Sequence, residues 1–481
     1  MKKTIFISGN FNILHPGHLR LLKFARELGN KLIVGVISDK LGGDLIHIPE
    51  KLRLEGISSN TFVTEALLIN EPLHSVIENL KPDIVVKGKE HEGNFNPELE
   101  AVESYGGKLI FSSGEVTFSS LDLINKNLET QARDTYGLPL NYLDRHNFSS
   151  QDILNSLKKI SDIKVCVIGD LIVDEYISCD ALGMSQEDPS IVVTPLSTKK
   201  FIGGAGIVAA HAAGLGANVD FFSVAGNDAS RDFSSDHLKD FGVNSYLETD
   251  DTRPTTLKQR YRAKNKTLLR VSHLQQNSIS ISLQNKILDK IKKKIDSYDL
   301  MVFSDFNYGC LPQQLVDNLV QTCTNQGVLM VADSQSSSQN GDVSRFKGMD
   351  LLTPTEREAR VSLHNQEDGL VTLAEKLRIK SNAKNIILKL AQEGVLLHQN
   401  IDSKKAGTDR IKSFNLNPAD EAGAGDSMLI AAALTYATSK NFWLAGVIGS
   451  IAAGLQISRI GNSPLSIKEL SETIEKNSHE N

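Results

Sequence analysis

Short apolar runs that each finish in a glycine, serine or aspartate recur along the whole chain, and helix-spaced stretches lie between them. The first unit holds such runs at 4–8 (Thr4-Ile5-Phe6-Ile7-Ser8, ended by Gly9-Asn10), 31–38, 83–87 and 108–112. Later come 164–170, 300–305 and 328–333, the last two closing on Asp305 and Asp333, then 351–354 and 385–390. Runs this short and continuously apolar read as strands buried on both faces, which is the signature of a parallel sheet. Leu19, Leu22 and Ala25 repeat at helical spacing, as do residues 73–80, and the opening therefore reads as β-α-β. In such sheets ligands bind beyond the carboxyl ends of the strands. His15, His18, Ser38, Asp39, Lys87, Ser119 and Ser120 all follow strands and fall on that edge.

A chain of 481 residues exceeds one ordinary core, so two or three domains are expected. The reading divides it into a first domain at 1–130, a linker at 131–147 and a second domain at 148–481. Weak periodicity and the breaker Gly137-Leu138-Pro139 mark the linker, with a longer helical hairpin as the other reading. Ser149 or Ser150 then caps a helix through Ile153, Leu154 and Leu157. A net charge of -6 gives no general affinity for nucleic acid, so phosphates must be met by locally gathered Lys and Arg. Cys166, Cys179, Cys310 and Cys323 show no metal spacing, and Cys166 and Cys323 lie in apolar surroundings that suit reduced, buried thiols. The N-terminal apolar run stops at Ser8, too short for a signal peptide, and no long apolar span follows. The expectation is a cytoplasmic protein with no membrane or nucleic-acid partner.

Near the start, His15-Pro16-Gly17-His18 sits where a strand gives way to a helix. Two imidazoles at i and i+3 share one face of a first turn, and Gly17 admits close approach of a ligand. Two donors at a helix N-terminus suit the charge that builds on an α-phosphate as pyrophosphate leaves. An isolated HxxH is as readily a surface or metal-binding pair; the preceding strand, Gly9 and Phe11 favour the phosphate role. Residues 9–18 resemble the GxFDxxHxGH signature of the cytidylyltransferase-like nucleotidyltransferases. The likeness extends through Ser38-Asp39, Arg53, residues 82–88 and Ser119-Ser120. It implies that His15 and His18 stabilise the transition state. Gly9, Phe11, Asn12, Gly17, Ser38, Asp39, Lys87, Ser119 and Ser120 would bind the nucleotide. Asn12 stands where the family carries Asp, keeping shape while removing a charge.

Near the end, Asp420-Glu421-Ala422-Gly423-Ala424-Gly425-Asp426 precedes the Ala-rich run 427–437. Glycines let successive amides face one anion, and a helix dipole reinforces them. Asp426 is placed to accept a proton from a hydroxyl attacking a γ-phosphate. The motif is no Walker A loop, because no Lys-Ser/Thr follows, and an Asp helix cap after a glycine turn is the bland alternative. Residues 254–273 alternate with Lys258, Arg260, Arg262, Lys264, Lys266 and Arg270. They form either a basic, protected sheet edge or a lid that attracts a phosphorylated substrate.

From about Lys164 to Leu470 the chain resembles ribokinase-like sugar kinases. That likeness implies Asp426 as catalytic base, Ala422, Gly423, Ala424 and Gly425 as anion hole, and Glu358 and Lys389 at the nucleotide phosphates. Asp174, Gly203, Gly204, Arg260 and Asp305 would contact the sugar. Glu358 would organise Mg2+ indirectly, and Asp420 would mark a monovalent-cation site, with K+ as the ion. Thr355, Ile207 and Lys389 depart from the family's usual Asn, Asn and Thr. The two halves together resemble the bifunctional enzymes of ADP-heptose formation, with the domain order inverted. The expected fold is α/β in two domains: a Rossmann-like HxGH nucleotidyltransferase, then a ribokinase-like α/β sandwich with a small β lid. The implied chemistry is phosphorylation of a heptose 7-phosphate at O1, then coupling of heptose 1-phosphate to a nucleotide. ATP and Mg2+ are the implied cofactors, CTP the alternative nucleotide, and a homodimer the implied assembly. The same chemistry on another sugar or polyol phosphate, or one active domain only, is the second reading.

Overall fold

The computed structural model describes residues 3–12, 14, 16–42, 46, 48–88, 96, 98–111, 138–185, 187–188, 190–263, 266–335, 341–400, 407–415 and 419–478. His15, Ser119 and Ser120 therefore lie outside the described residues. The chain forms two compact units, the first of Met1–Asp134 with Asn365–Leu373 and the second of Thr135–His364 with Ala374–Asn481.

In the first unit, β1 (Thr4–Gly9), β2 (Lys31–Ile37), β3 (Glu65–Ile69), β4 (Ile84–Lys87) and β5 (Lys108–Phe111) form one sheet in the order β3-β2-β1-β4-β5. Every neighbouring pair is parallel. Chain order reverses between β1 and β4, so their carboxyl ends flank the crevice where such sheets bind ligands. Helix Pro16–Leu28 follows β1 with proline at its first position, where no backbone donor is lost. Ile5, Ile7, Leu22 and Val34 fill one face of the sheet, and Phe6, Ile33, Ile77 and Val102 the other. The double coverage explains why these strands read as unbroken apolar runs. β3 has a mostly half-buried pattern and gave no such signal.

The second unit is built on a larger sheet. Its strands are β6 (Lys164–Gly169), β9 (Asn218–Ala225), β10 (Asn244–Thr249), β13 (Leu300–Asp305), β14 (Leu329–Ser334), β15 (Leu351–Leu352), β16 (Asn385–Lys389), β17 (Val395–Gln399) and β18 (Thr408–Ile411). Among the described residues they run β10-β9-β6-β13-β14-β15-β16-β17-β18. The sheet is parallel up to β16, while β17 and β18 add antiparallel edges that the all-parallel reading did not anticipate. A second sheet contains β7 (Leu171–Met184), β8 (Ile191–Gly204), β11 (Thr256–Ala263) and β12 (Lys266–His273) in the order β12-β11-β7-β8. The basic segment is thus the expected hairpin, and β11 adds to β7 in parallel.

The expected linker is shorter than 131–147. Helix Leu140–His146 buries Tyr142 and Leu143 in the core of the second unit. The Tyr142 hydroxyl donates to the Trp443 carbonyl at 2.8 Å, and Arg145 meets Asp409 through two nitrogens. Those partners lie hundreds of residues away, so the local pattern of a short polar stretch could not disclose them. Ser149 caps helix Ser150–Lys158 in a reciprocal box with Asp152.

Candidate active sites

In the first unit, Gly9 ends β1 and Phe11 follows with a positive φ of 48°. The Phe11 ring packs over Gly9, where an added Cβ would lie 3.2 Å from it, and it meets the His18 ring at 5.1 Å. Phe11 therefore braces the imidazole at the start of helix Pro16–Leu28, which is a structural reason for the aromatic in this motif. Ser38, buried, follows β2 and its amide donates to the Ile69 carbonyl. Asp39 accepts a 2.6 Å bond from Arg53 Nη2, and that guanidinium holds its carboxyl below the usual carboxylate range. Arg53 also donates to the carbonyls of Ile48, Asn10 and Ile37. One buried side chain thus ties together the segments that leave β1 and β2. Arg53 carried the family likeness but was not placed among the site residues; its four-way engagement is visible only in three dimensions. Lys87, at the end of β4, is paired to Glu98 at 2.8 Å.

In the second unit a cavity of about 430 Å3 is lined by Asp174, Arg260, Glu358, Lys389, Gly425 and Asp426, among others. Gly423, with φ 77°, is the cap of helix Ala424–Ser439, and Asp426 lies in its first turn. The three residues 423–425 so present backbone donors at a helix N-terminus. Asp426 is 6% exposed; burial, then the nearby Asp333 carboxylate, push its carboxyl up to about 7. Gln335 Nε2 donates to Asp426 Oδ1 at 3.2 Å. Lys389 Nζ donates to Asp333 Oδ2 at 2.7 Å and lies 3.2 Å from the position of a Cβ on Gly425. Asp333 and Gln335 were not among the expected site residues. The strand-end position of Asp333 was the available signal, and Gln335 offered none.

Asp174 lies on β7 across from Phe201 and Lys258, and Arg260 Nη2 stands 3.4 Å from its Oδ1. A Cβ on Gly203 would fall 2.4 Å from Asp174 Oδ2, so glycine there is what admits the carboxylate. Gly204, with φ 59°, then turns the strand into helix Ala205–Gly214. Arg260 and Arg262 stack over the Tyr176 ring at 5.5 and 5.2 Å. A second pocket of about 410 Å3 is lined by Tyr176, Arg260, Arg262, Thr267 and Arg270, together with Asp420 and Glu421, so its three guanidiniums outnumber its two carboxylates. It suits an anion.

Four expectations need correction or explanation. Asp305 does not line the cavity: its carboxylate accepts from the Ser334 hydroxyl at 2.7 Å and from Arg345 Nη2 at 2.9 Å, inside the fold. Asp420 lines the second pocket, but Tyr176 O–H and the amides of Ala422 and Gly461 already donate to its carboxylate. The Thr355 departure has a structural account. It caps helix Glu356–Leu363, and Glu358 Oε2 accepts from its amide at 2.8 Å. Ile207 is buried in the core rather than facing the cavity.

A parallel α/β sheet, a four-stranded lid bearing Asp174, and a glycine turn delivering Asp426 at a helix start together define a ribokinase-like fold. Residues 162–468 match the pfkB family of carbohydrate kinases, and the chain belongs to that family. Residues 6–113 match the cytidylyltransferase-like family. Among curated relatives, the bifunctional protein HldE of a Nitratiruptor species is 29% identical over 314 residues, 64% of each chain. HldE of Helicobacter pylori is 28% identical over 311 residues, 64% of this chain and 65% of that one. The chain thus spans about 64% of the length of these relatives. Among solved structures, ribokinase of Thermotoga maritima superposes with TM-score 0.52 at 19% identity, over 66% of this chain and 100% of that one. Arabidopsis thaliana ribokinase complexed with ribose and ATP gives 0.53 at 17% identity, over 65% and 99%. At these identities the likeness shows fold alone. Among the described residues no helix is long and apolar enough to cross a membrane.

Proposed function

We propose that the protein makes a nucleotide-activated sugar in two reactions at two separate sites, with heptose phosphates as substrates. In the second unit, a sugar hydroxyl attacks the γ-phosphorus of ATP. A new P–O bond forms, the bond to the β-phosphate oxygen breaks, and the hydroxyl proton passes to Asp426. Asp174 and Arg260 hold the sugar, while the 423–425 amides and Lys389 receive phosphate charge. The observation that carries this reading is one cavity lined by both Asp174 and Asp426, the latter with its carboxyl raised to about 7. A carboxyl raised that far exchanges its proton near neutral pH, which suits a general base.

The cavity-lining Glu358, with Asp333 buried behind it, fits the surroundings of Mg2+ brought in on the nucleotide. Bound there, the ion neutralises phosphate charge. The Tyr176, Arg260, Arg262 and Arg270 pocket supports a substrate that already carries a phosphate, as heptose 7-phosphate does. In the first unit, a sugar 1-phosphate oxygen attacks the α-phosphorus of a nucleoside triphosphate, and pyrophosphate leaves. His18, braced by Phe11, and His15 stabilise the charge that develops, while Ser119 and Ser120 bind phosphate. ATP is the proposed nucleotide, with CTP as the second reading. The kinase product is a heptose 1,7-bisphosphate and the transferase product ADP-heptose, so a phosphatase must act between them.

A homodimer and a cytoplasmic site of action complete the proposal. Exposed Leu182, Met184, Ile191 and Leu196 on β7 and β8 support the dimer as an apolar surface for a second copy. Four free, buried cysteines support a reducing compartment. The test supplies purified protein with heptose 7-phosphate and ATP, then heptose 1-phosphate with ATP or CTP, and follows ADP and pyrophosphate. Turnover of both heptoses is expected; turnover of neither sinks the heptose assignment.

A further inference from the structure

The loop before Asp426 is held to the neighbouring helix by a side chain at the place where an ion was expected. Gln456 ends helix Phe442–Gln456 and is fully buried. Its Nε2 donates to the Ala422 carbonyl at 3.3 Å and to the Gly461 carbonyl at 3.1 Å. Two carbonyl oxygens aimed at one point are what a dehydrated cation coordinates, and a carboxamide nitrogen with two N–H groups satisfies both. Turning the amide over would set Oε1 against two other acceptors, so the chemistry fixes the orientation.

Asp420 is committed in the same way. Its Oδ1 accepts from the Ala422 amide at 3.2 Å, and its Oδ2 from Tyr176 O–H at 2.9 Å and the Gly461 amide at 3.1 Å. Arg262 brings a positive charge to 3.9 Å from that oxygen. Among the described residues, the buried side-chain oxygens nearby without a partner are Gln456 Oε1 and Asn462 Oδ1.

We propose that Gln456 replaces the monovalent cation expected beside Asp420, so that the anion-binding loop keeps its working shape without K+. Gln456 is thereby a positioning residue: it acts on the phosphates through the backbone of 422–425. The inference rests on the kinase reading above.

Its test compares the full-length protein in K+ and in tetramethylammonium at equal ionic strength. ADP formation from heptose 7-phosphate and MgATP is one readout, and the thermal midpoint without substrates is the other. Equal rates and equal midpoints in the two salts are expected. A K+-specific gain of about tenfold in rate, or a K+-specific rise in the midpoint, overturns the proposal. Gln456→Ala removes the bridge and frees both carbonyls. It should lose about ten- to a hundredfold in kcat, and K+ but not tetramethylammonium should restore part of that loss. If Gln456→Ala does not fold, Gln456→Met keeps the volume without the donors. A folded variant that K+ fails to restore also overturns the replacement. Absence of phosphorylation by the native protein in either salt counts against the sugar-kinase reading, and the thermal comparison then decides the cation question alone.

Discussion

Lys389 and Asp333 form a buried ion pair, Nζ to Oδ2 at 2.7 Å, across the carboxyl ends of β16 and β14. Their side chains are 11% and 3% exposed, so the charges face each other with little solvent screening. Burial favours the neutral lysine, but Asp333 and Glu358 outweigh it and raise the Lys389 pKa, leaving the ammonium charged. The pair therefore supplies a fixed cation beside Gly425. Replacing Lys389 with Met should raise the KM for ATP and lower kcat/KM by about a hundredfold, since it removes the proposed phosphate partner and leaves a buried carboxylate alone. Steady-state kinetics at varied ATP check this, and nucleotidyl transfer should be unaffected.

As the proposed base, Asp426 would give phosphorylation a pH signature. A base works deprotonated, so kcat/KM should climb as pH rises through about 7 and then level off. The stability effect has the opposite direction. A carboxyl raised from 3.8 to about 7 binds a proton more tightly in the folded state, so its contribution to stability is greatest below 3.8 and is lost as pH rises to about 7. Asp426→Asn should abolish phosphorylation, yet raise the thermal midpoint of the second unit at pH values above 7. A lowered midpoint there would contradict the burial argument.

Gly203→Ala separates sugar binding from nucleotide binding. The new Cβ would stand 2.4 Å from Asp174 Oδ2, so the carboxylate must move. The KM for the sugar should rise about tenfold or more while the KM for ATP stays near its native value. Comparable increases in both would mean that the strand itself had shifted.

Arg53→Ala tests the first unit. The side chain holds Asp39 and three carbonyls, and its loss leaves those acceptors without their charged donor. A destabilisation of about 3 kcal/mol in this unit is expected, read by denaturant unfolding, together with loss of nucleotidyl transfer. Phosphorylation by the second unit should persist. His18→Ala should also abolish transfer without lowering the unfolding midpoint comparably.

The apolar arm is tested by Leu196→Asp. Leu196 is 69% exposed, so a charge there costs an isolated chain little. Sedimentation should show a dimer for the native protein and a monomer for the variant, with the thermal midpoint of the monomer near that of diluted native protein. A native monomer would remove the dimer from the proposal.

Local chemistry sufficed for what is repeated along one segment. Strands such as β1, β6 and β13 were legible because burial on both faces leaves an unbroken apolar run. Gly423, Gly425 and Asp426 were legible because a glycine turn and a helix start are encoded by adjacent residues. Which side chains meet across segments was not. Asp305 ends a strand just as Asp333 does, yet Arg345 claims the first and Lys389, from a strand 56 positions onward, claims the second. Gln456 gave no signal in the sequence, and only the approach of Ala422 and Gly461 gives its amide a task. Sequence fixes periodicity and turns through short-range sterics. The order of strands in the sheet decides which distant charges and donors must satisfy one another once water is excluded.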